Sequence, residues 1–213
     1  METDIIKRLS QYKKILQKLK SLGLVRVFSD NLSDALGISS SLVRKDFAAC
    51  NITGKRRGGY VVDELIERLN TLLGKDQEQK IIIVGCGKLG SALMNHKGFA
   101  SDQIRVSAGF DTDPQRVAPH AAVPIYALDR LESYIRENAI QVAVLTVPEE
   151  ATQEMVEVLR KAGIHGILNF AAVPIKPASD CYIQNVNLAL EVEKLFYMII
   201  AARDNATPEG STA

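Results

Sequence analysis

Along the first 22 residues, apolar side chains recur every three or four positions, with lysine and arginine between them. This spacing places the apolar side chains on one face of a helix, so we predict an amphipathic helix that Gly23 ends. The apolar positions are Ile5, Leu9, Tyr12, Ile15, Leu16 and Leu19.

Residues 27–50 predict two further short helices, near 31–36 and 40–49. Gly37 supplies the turn between them, because glycine takes a positive φ without steric cost. Two short helices joined by a turn that contains glycine form a helix-turn-helix. Each helix has a polar residue that can cap it. The candidate caps are Ser29 or Asp30 for the first helix and Ser39 or Ser40 for the second.

The outward face of the second helix is polar and basic. In a helix-turn-helix protein, this helix lies in the major groove and presents donors to base edges and phosphates. Arg44 is the first candidate for a base contact. Candidates for base or phosphate contacts are Ser40, Ser41 and Lys45. A helical hairpin that binds nothing is the alternative interpretation.

Residues 51–62, NITGKRRGGYVV, predict a β-hairpin with a basic tip, a wing beside the recognition helix. The three cations Lys55, Arg56 and Arg57 can neutralise phosphates or enter a narrow minor groove. A basic loop alone is usually solvated, but one that directly follows a helix-turn-helix favours DNA binding. An amphipathic helix over 61–73 completes a winged-helix domain at 1–75, and a polar linker follows at 76–80.

Residues 81–90, IIIVGCGKLG, predict a buried parallel strand followed by a glycine-rich turn. In the GxGxxG pattern the first glycine makes the turn, the second lets a pyrophosphate approach the backbone, and the third lets the helix pack on the strand. The helix begins near Lys88, so its free amides point toward the phosphates. The candidate pyrophosphate-binding residues are Gly85, Cys86, Gly87, Lys88, Leu89 and Gly90.

A second strand, RVSAGFD, ends in Asp111, 21 positions beyond Gly90. A carboxylate there can accept hydrogen bonds from an adenine-ribose hydroxyl and would repel a 2′-phosphate, which favours NAD(H) over NADP(H). The alternatives are a Rossmann fold without a nucleotide and one with another ligand, such as coenzyme A.

Strands and helices continue to alternate up to residue 186, which predicts a doubly wound α/β Rossmann domain at 81–186. We expect strands at 123–126, 141–148, 165–170 and 181–186, and helices at 128–138 and 150–162. Ligands bind such sheets at the carboxyl ends of the strands. Candidate cofactor neighbours at those ends are Thr146, Val147, Pro148, Asn169 and Phe170.

Residues 187–203 predict a C-terminal helix that is apolar on all sides at 196–202. Such a helix must be buried on several sides. It docks on a partner subunit, or exchanges with one, or packs back on its own sheet, and the sequence leaves these alternatives open. The polar residues 204–213 predict a disordered tail.

Charge is distributed unevenly along the chain. Residues 1–75 carry 14 Lys and Arg against 8 Asp and Glu, whereas residues 76–213 carry 12 against 17. A net +6 joined to a net −5 indicates that the first third meets a polyanion, unless the charges form an ordinary solvated face.

Other features bound the class of protein. No run reaches the roughly 18 uncharged apolar residues of a membrane span, and the N-terminus lacks a signal-peptide core. Cys50, Cys86 and Cys181 have no metal-ligand spacing, and their odd number suits a reducing cytoplasm. The histidines lack carboxylate partners at short spacing, and little room remains for a second substrate, so we expect no enzyme and no metal.

The order of these motifs resembles the Rex family of bacterial redox-sensing transcriptional repressors. The motifs are VRKDF, GKRRGGY, VGCGKLGSAL, FDTDP, LTVP and GILNF, followed by the apolar helix. The resemblance covers nearly the whole chain. It implies a homodimer with exchanged C-terminal helices, two winged helices on a double-stranded DNA operator, and two domains that sense the NADH/NAD+ ratio. NADH would move the heads off the half-sites, whereas NAD+ would compete weakly and permit DNA binding.

The resemblance also implies roles for single residues. Asp111 would bind the adenine ribose, and Asn169 and Phe170 would lie near the nicotinamide. Arg8 matches an arginine that the family places between head and pocket. The positions that match DNA contacts are Arg44, Lys45, Lys55 and Arg56.

Some positions depart from the family pattern. His96 replaces a usual tyrosine near the nicotinamide, and Asn187 replaces an aspartate that pairs with the head-to-pocket arginine. Neutral Asn187 cannot form a charge pair with Arg8. Further departures are Ala48, Ala49, Cys50, Asn51, Arg57, Gly58 and Ala172. They predict weaker NADH/NAD+ discrimination or a different operator.

We therefore predict a homodimeric, cytoplasmic DNA-binding repressor regulated by NAD(H). Two alternatives remain at this point. One is a winged-helix regulator whose pocket takes another nucleotide or is insensitive to redox state. The other is a small NAD-dependent oxidoreductase.

Overall fold

The computed structural model of the protein describes residues 3–55 and 58–206. The chain divides into two compact units, residues 1–79 and 80–213. We call the first unit the head and the second the sheet domain. The division lies within the polar segment 76–80 that the sequence marks as a linker.

The described residues of the head form four helices and a two-stranded antiparallel sheet. The elements are α1 (Thr3–Ser21), β1 (Arg26–Val27), α2 (Ser29–Leu36), α3 (Ser40–Ala49), β2 (Tyr60–Val61) and α4 (Val62–Leu72). Gly23 and Gly37 follow α1 and α2 with φ of 85° and 65°, so both turns use the left-handed backbone that glycine adopts easily. The hydroxyl of Ser39 caps α3 by accepting a hydrogen bond from the Leu42 amide at 3.2 Å.

The start of α2 differs from the prediction. The helix begins at Ser29, two residues early, and neither Ser29 nor Asp30 caps it. Instead, the side-chain oxygen of Asn31 accepts a hydrogen bond from the Phe28 amide at 2.8 Å. The Ser29 hydroxyl is buried and accepts a hydrogen bond from Arg44 of α3. The residue predicted to cap α2 therefore binds a side chain 15 positions further along the chain.

The wing, residues 51–62, is also built differently from a simple hairpin. Strand β2 pairs with β1, and among the described wing residues the two arms share one bridge, between Lys55 and Gly59. Gly59 has a φ of 60°, and a Cβ at this position would overlap the carbonyl oxygen of Val27. The sequence predicted that the two apolar flanks of the wing pair with each other. Instead, the second flank, Tyr60–Val61, pairs with β1, the strand that precedes the helix-turn-helix.

The core of the head comes from the apolar positions that the periodicity identified. Leu9, Tyr12 and Leu16 of α1 are buried. The ring of Tyr12 packs edge-on against Phe47 of α3, with ring centroids 5.3 Å apart. The inner faces of α1 and α3 therefore share one core.

The sheet domain contains a six-stranded sheet in the order β5-β4-β3-β6-β7-β8. The pairs β4–β5, β3–β6, β6–β7 and β7–β8 are parallel. The strands are β3 (Gln79–Val84), β4 (Ile104–Asp111), β5 (Ile125–Ala127), β6 (Val142–Leu145), β7 (Gly166–Asn169) and β8 (Tyr182–Asn185). The helices are α5 (Lys88–Met94), α6 (Lys97–Ser101), α7 (Leu131–Asn138), α8 (Glu149–Ala162) and α9 (Leu188–Ala206).

Alternate side chains of β3 face opposite sides of the sheet, as its apolar run predicts. Ile82 and Val84 are buried in a cluster with side chains of α7 and α8. Ile81 and Ile83 are buried in a second cluster, with side chains of α5 and α6. Helices on both faces make this a doubly wound fold, and the predicted α/β architecture is confirmed.

Several helices and strands begin or end one to three residues from their predicted positions. Strand β3 includes Gln79 and Lys80, which the sequence assigns to the linker. Helix α6 was not predicted. It lies between α5, which ends after seven residues, and β4.

Helix α9 leaves its apolar side chains uncovered by its own chain. Every side chain from 187 to 200 is exposed, including Phe196 at 61% and Met198 at 65%. The alternative in which this helix packs on its own sheet is therefore wrong. The helix also extends through Ala206, so 204–206 are helical rather than tail, since adding a turn to an existing helix needs no new nucleation. Residues 207–213 of the predicted tail lie outside the described residues, and within the described part no helix is long and apolar enough to cross a membrane.

Candidate nucleotide site and DNA-binding face

A cavity of about 780 Å³ opens at the carboxyl ends of β3, β4 and β6. Strands β4 and β6 flank β3 on opposite sides, so the strand order reverses at this point. A reversal of this kind is where doubly wound sheets bind their ligands. Six predicted cofactor residues line the cavity, namely Gly85, Gly87, Asp111, Thr146, Val147 and Pro148.

The three glycines of the turn at residues 85–90 differ in what a side chain would meet at each position. Gly85 has a φ of 92°, and a Cβ there would lie 2.7 Å from the carbonyl oxygen of Thr146. A Cβ on Gly90 would overlap the carbonyl oxygen of Gly85. Gly87 lines the cavity, and a Cβ there would meet only a guanidinium nitrogen of Arg116, at 3.3 Å. The turn therefore keeps open backbone at the position where a pyrophosphate would approach.

Thr146 fastens the end of β6 to this turn. Its hydroxyl donates a hydrogen bond to the carbonyl oxygen of Gly85 at 2.5 Å. Its amide bonds to the carbonyl oxygen of Val84 at 2.9 Å. The residue thus supports the cavity wall, in addition to being a predicted neighbour of a ligand.

Asp111 supports the glycine turn as well as facing the cavity. Its side chain is 8% exposed. One carboxylate oxygen accepts a hydrogen bond from the Cys86 amide at 2.7 Å, and the other accepts one from the Asp113 amide at 2.9 Å. Arg116 lies 3.3 Å from the first oxygen. A substitution of Asp111 would therefore disturb the turn in addition to any contact with a ribose.

Cys86 lies in the turn with its thiol buried beneath it. The residue is 3% exposed, and its sulfur contacts the carbonyl oxygen of Phe110 at 3.6 Å. Burial raises the pKa of the Cys86 thiol to about 11, and the Asp111 carboxylate adds to the rise. The thiol is therefore protonated near neutral pH and is a poor nucleophile, so Cys86 serves here as a small residue that a tight turn accommodates.

Asn169 is completely buried, and its amide bonds to the protein itself. Its nitrogen donates to the carbonyl oxygen of Val173 and to the side-chain oxygen of Asn185, both at 2.9 Å. Its oxygen accepts a hydrogen bond from the Ala171 amide at 2.9 Å. Both amide hydrogens are thus in use, so Asn169 positions the loop after β7, whereas the following Phe170 packs partly buried on the apolar face of β3 and β6.

The predicted switch residues lie in three different environments. His96 is exposed, with its ring 5.2 Å from that of Phe99. The side-chain oxygen of Asn187 accepts a hydrogen bond from the Leu190 amide at 3.1 Å and so caps α9. Arg8 binds Asp46 of α3 with two hydrogen bonds of 2.6 and 2.8 Å.

The Arg8–Asp46 pair changes the interpretation of Arg8. The Asp46 carboxylate is 3% exposed and also accepts a hydrogen bond from the Tyr12 hydroxyl at 2.8 Å. Burial alone would raise the pKa of Asp46, but the bonds from Arg8 and Tyr12 outweigh it and lower that pKa below its usual value. Arg8 therefore fixes α1 to α3 inside the head. These bonds engage two of the five N–H donors of the guanidinium, and a role of Arg8 between head and pocket stays a prediction.

The predicted DNA-binding face is exposed on the head. Arg44 projects from α3, and its guanidinium donates to the hydroxyls of Ser29 at 3.1 Å and Ser40 at 3.3 Å. Ser41 and Lys45 of α3 and Lys55 of the wing are exposed, whereas Ser40 is half-buried. Arg56 and Arg57 lie outside the described residues.

Sequence reasoning missed two arginines near the predicted sites. Arg26 of β1 donates a hydrogen bond to the carbonyl oxygen of Gly58 at 2.8 Å and so supports the wing. Arg116 lies in the nucleotide cavity beside Asp111. The sequence around Arg26 has no periodicity that indicates its role. Arg116 could have been proposed as a cavity residue, because it follows Asp111 by only five positions.

One unit contains a helix-turn-helix with a wing, and the other contains an open glycine turn at the switch point of a Rossmann sheet. Together these features define the class of ligand-responsive transcription factors. The curated relatives specify the kind. The redox-sensing transcriptional repressor Rex of Leuconostoc citreum is 38% identical over 194 residues, 91% of this chain and 90% of the relative. That of Limosilactobacillus fermentum is 36% identical over the same shares. The chain belongs to the Rex family of redox-sensing transcriptional repressors.

Solved structures and domain models agree with this assignment. The structure of RSP, a Rex-family repressor, in complex with beta-NAD+ and operator DNA has a TM-score of 0.88 at 28% identity, and covers 100% of this chain and 99% of RSP. RSP in complex with beta-NADH has a TM-score of 0.78 at 28% identity, with coverage of 95% and 96%. A model described as "CoA binding domain" matches residues 76–173, and one described as "Putative DNA-binding protein N-terminus" matches residues 3–48.

The family assignment confirms the resemblance seen in the motifs. It also confirms the prediction of a transcriptional repressor over that of an oxidoreductase, because the relatives are named as repressors. Exchange of the C-terminal helix between subunits stays a prediction.

Proposed function

We propose that this protein is a homodimeric repressor that binds an operator through α3 and the wing, and that NADH releases it from DNA in competition with NAD+. The observation that carries the proposal is the presence, in one Rex-family chain, of an open glycine turn at the switch point and an exposed cationic helix α3. RSP, which resembles this chain over its whole length, binds beta-NAD+ with operator DNA and also binds beta-NADH.

The cofactor is NAD(H) because of the carboxylate at the ribose end of the cavity. Asp111 ends β4 beside the turn and is almost fully buried. A carboxylate there accepts bonds from ribose hydroxyls and repels a phosphorylated ribose. NADP(H) carries a 2′-phosphate and coenzyme A a 3′-phosphate on this sugar, so both fit less well than NAD(H), although the matching domain model is named for coenzyme A.

The remaining cofactor residues divide by role. The turn at 85–90 and the segment Thr146–Val147–Pro148 contact the dinucleotide, whereas Asn169 acts through the loop that it positions. His96 and Asn187 remain in the proposed switch, where they replace the tyrosine and aspartate that the family pattern leads us to expect. Arg8 also stays in this set, because its two bonds to Asp46 fix it on α1 and engage only two of its five N–H donors.

Helix α9 supports the dimer. Exposed apolar side chains occur on all of its faces. A helix of that kind must be covered, and a second copy of the same chain covers both helices by symmetry. We place the protein in the cytoplasm, where a bacterial operator lies and where three buried, unpaired cysteines stay reduced.

Titration of a protein–operator complex with cofactor tests the proposal. The operator is first selected from random duplex DNA, and binding is then followed by fluorescence anisotropy. We expect NADH to release the DNA, NAD+ to leave it bound, and added NAD+ to raise the NADH concentration that release requires. Equal release by both cofactors, or by neither, would contradict redox sensing and leave only the DNA-binding half of the proposal.

Arg44→Ala tests the DNA-binding face. We expect specific binding to weaken by about 1–3 kcal/mol with loss of preference at one base position, because Arg44 reads a base edge. Lys45→Ala should instead weaken all sequences alike and reduce the salt slope by about one, as expected for a phosphate contact. The exposed Arg136 of α7 supplies the control, and Arg136→Ala should leave DNA binding unchanged. Undiminished binding by Arg44→Ala would remove α3 from the groove.

A further inference from the structure

The nucleotide cavity has more acidic than basic side chains on its walls. Asp111, Asp113 and Glu154 line it, and Arg116 is the one cation among its described lining residues. A dinucleotide brings about two negative charges on its diphosphate into this space. Backbone amides of the turn offset part of that charge, but three carboxylates work against them.

Arg116 lies between the acidic pair and the glycine turn. It ends a short 3-10 turn, Pro114–Arg116, that follows β4. One guanidinium nitrogen is 3.3 Å from a carboxylate oxygen of Asp111, and another is 3.3 Å from one of Asp113. The first of these nitrogens is also 3.3 Å from the point where a Cβ on Gly87 would lie. The side chain is 45% exposed, so the guanidinium faces open space rather than the core.

We infer that Arg116 is a side-chain ligand for the cofactor diphosphate, acting together with the backbone of the glycine turn. This inference rests on the proposed function. The second glycine of the pattern is where the pyrophosphate comes closest to the backbone, and Arg116 lies beside that glycine. Guanidinium offers several donors in a fixed fork, so it can bind phosphate oxygens with one nitrogen while another still faces Asp113.

The present contacts of Arg116 leave it free to make this exchange. Strong charge-assisted bonds from nitrogen to a carboxylate measure about 2.7–2.9 Å. Both of its carboxylate contacts are longer, at 3.3 Å. By contrast, the Asp111 carboxylate is positioned by two backbone amides at 2.7 and 2.9 Å and does not depend on Arg116. Binding of a diphosphate therefore draws the guanidinium away from Asp111 without displacing that carboxylate from the ribose.

Arg116→Gln tests this role in the full-length protein. NADH binding is followed by the fluorescence of the reduced nicotinamide, and ADP binding by calorimetry. We expect both affinities to fall by roughly 10- to 100-fold, the effect of losing one hydrogen-bonded charge pair. NADH binding by the variant should also respond less to added KCl, because one ionic contact is gone. Arg116→Lys should restore most of the affinity.

Arg136→Gln is the matched control, since Arg136 is an exposed arginine of α7 whose partner is Glu132. It should bind both ligands as the wild type does. Wild-type protein that binds neither NADH nor ADP would overturn the proposed function, and this inference with it. Wild-type binding together with Arg116→Gln binding within twofold would overturn only the inference. A loss that lysine fails to restore, with unchanged response to KCl, would also overturn it, because Arg116 would then only position its neighbours.

Discussion

Arg8→Met should lower the stability of the head by about 3–5 kcal/mol, the usual cost of removing one member of a buried ion pair. The substitution keeps most of the apolar length of the side chain. It removes both bonds from Arg8 to the Asp46 carboxylate, which is 3% exposed and keeps the hydrogen bond from the Tyr12 hydroxyl. Native-state hydrogen exchange of the α1 and α3 amides measures this locally, so unfolding of the sheet domain does not enter. Because α3 carries Arg44, we also expect operator binding to weaken.

The matched control is Lys20→Met. Lys20 of α1 pairs with Asp63 of α4, and both side chains are about 60% exposed. An exposed pair of this kind contributes about 0–1 kcal/mol. If Arg8→Met destabilised the head no more than Lys20→Met does, the buried pair would have no role in fixing α1 to α3.

The effect of Arg8 also depends on pH. The pKa of Asp46 is lowered in the folded head, whereas an aspartate in an unfolded chain titrates near about 3.9. Stability from this pair is therefore fully present above that value and is lost as the pH falls toward the folded-state pKa. The difference between wild type and Arg8→Met should narrow below about pH 4.

Gly90→Ala should reduce NADH affinity by about 100-fold, since an overpacking cost of about 3 kcal/mol corresponds to that factor. The added Cβ would overlap the carbonyl oxygen of Gly85 and lie 2.9 Å from the hydroxyl of Thr146. Helix α5 must then move away from β3, and the turn loses its shape. The head is a separate unit, so DNA binding should persist and become insensitive to NADH.

Gly166→Ala provides the comparison for this variant. Gly166 also lies in the sheet domain, but a Cβ there would meet Val142 at 3.4 Å, an ordinary contact. NADH titration of both variants, and of their operator complexes, separates the effects. Wild-type NADH affinity in Gly90→Ala would exclude the glycine turn from the cofactor site.

Local pattern predicted most of the architecture. The spacing of Leu9, Tyr12 and Leu16 identified the buried face of α1. The uninterrupted apolar run at 81–84 identified a strand with helices on both sides. These features depend on residues close together in sequence, and their periodicity follows directly from helix and strand geometry.

Contacts between distant residues could not be predicted in the same way. Asp46 lies 38 residues from Arg8, and nothing in either segment names the other as its partner. The sequence therefore gave no sign of this ion pair, and only the family resemblance suggested a role for Arg8. The pairing of the wing could not be predicted for the same reason. Strand β2 pairs with β1, which lies on the other side of the helix-turn-helix in sequence, rather than with the other arm of its own loop.

The candidate site was predicted more completely in its backbone than in its side chains. Gly85 and Gly90 of the turn signal their roles by identity, since the backbone around them leaves no room for a Cβ. The amide of Asn169 gives no such signal, because a buried asparagine at a strand end serves a ligand or a loop equally well, and here it bonds to Val173, Ala171 and Asn185.

The apolar surface of α9 has a consequence for gene dosage. The apolar side chains of α9 are covered only when two subunits pair, so mass action sets the fraction of chains that is paired. At low synthesis rates the concentration of pairs grows with the square of the chain concentration. Repression would therefore set in above a threshold level of the protein and more steeply than simple proportionality.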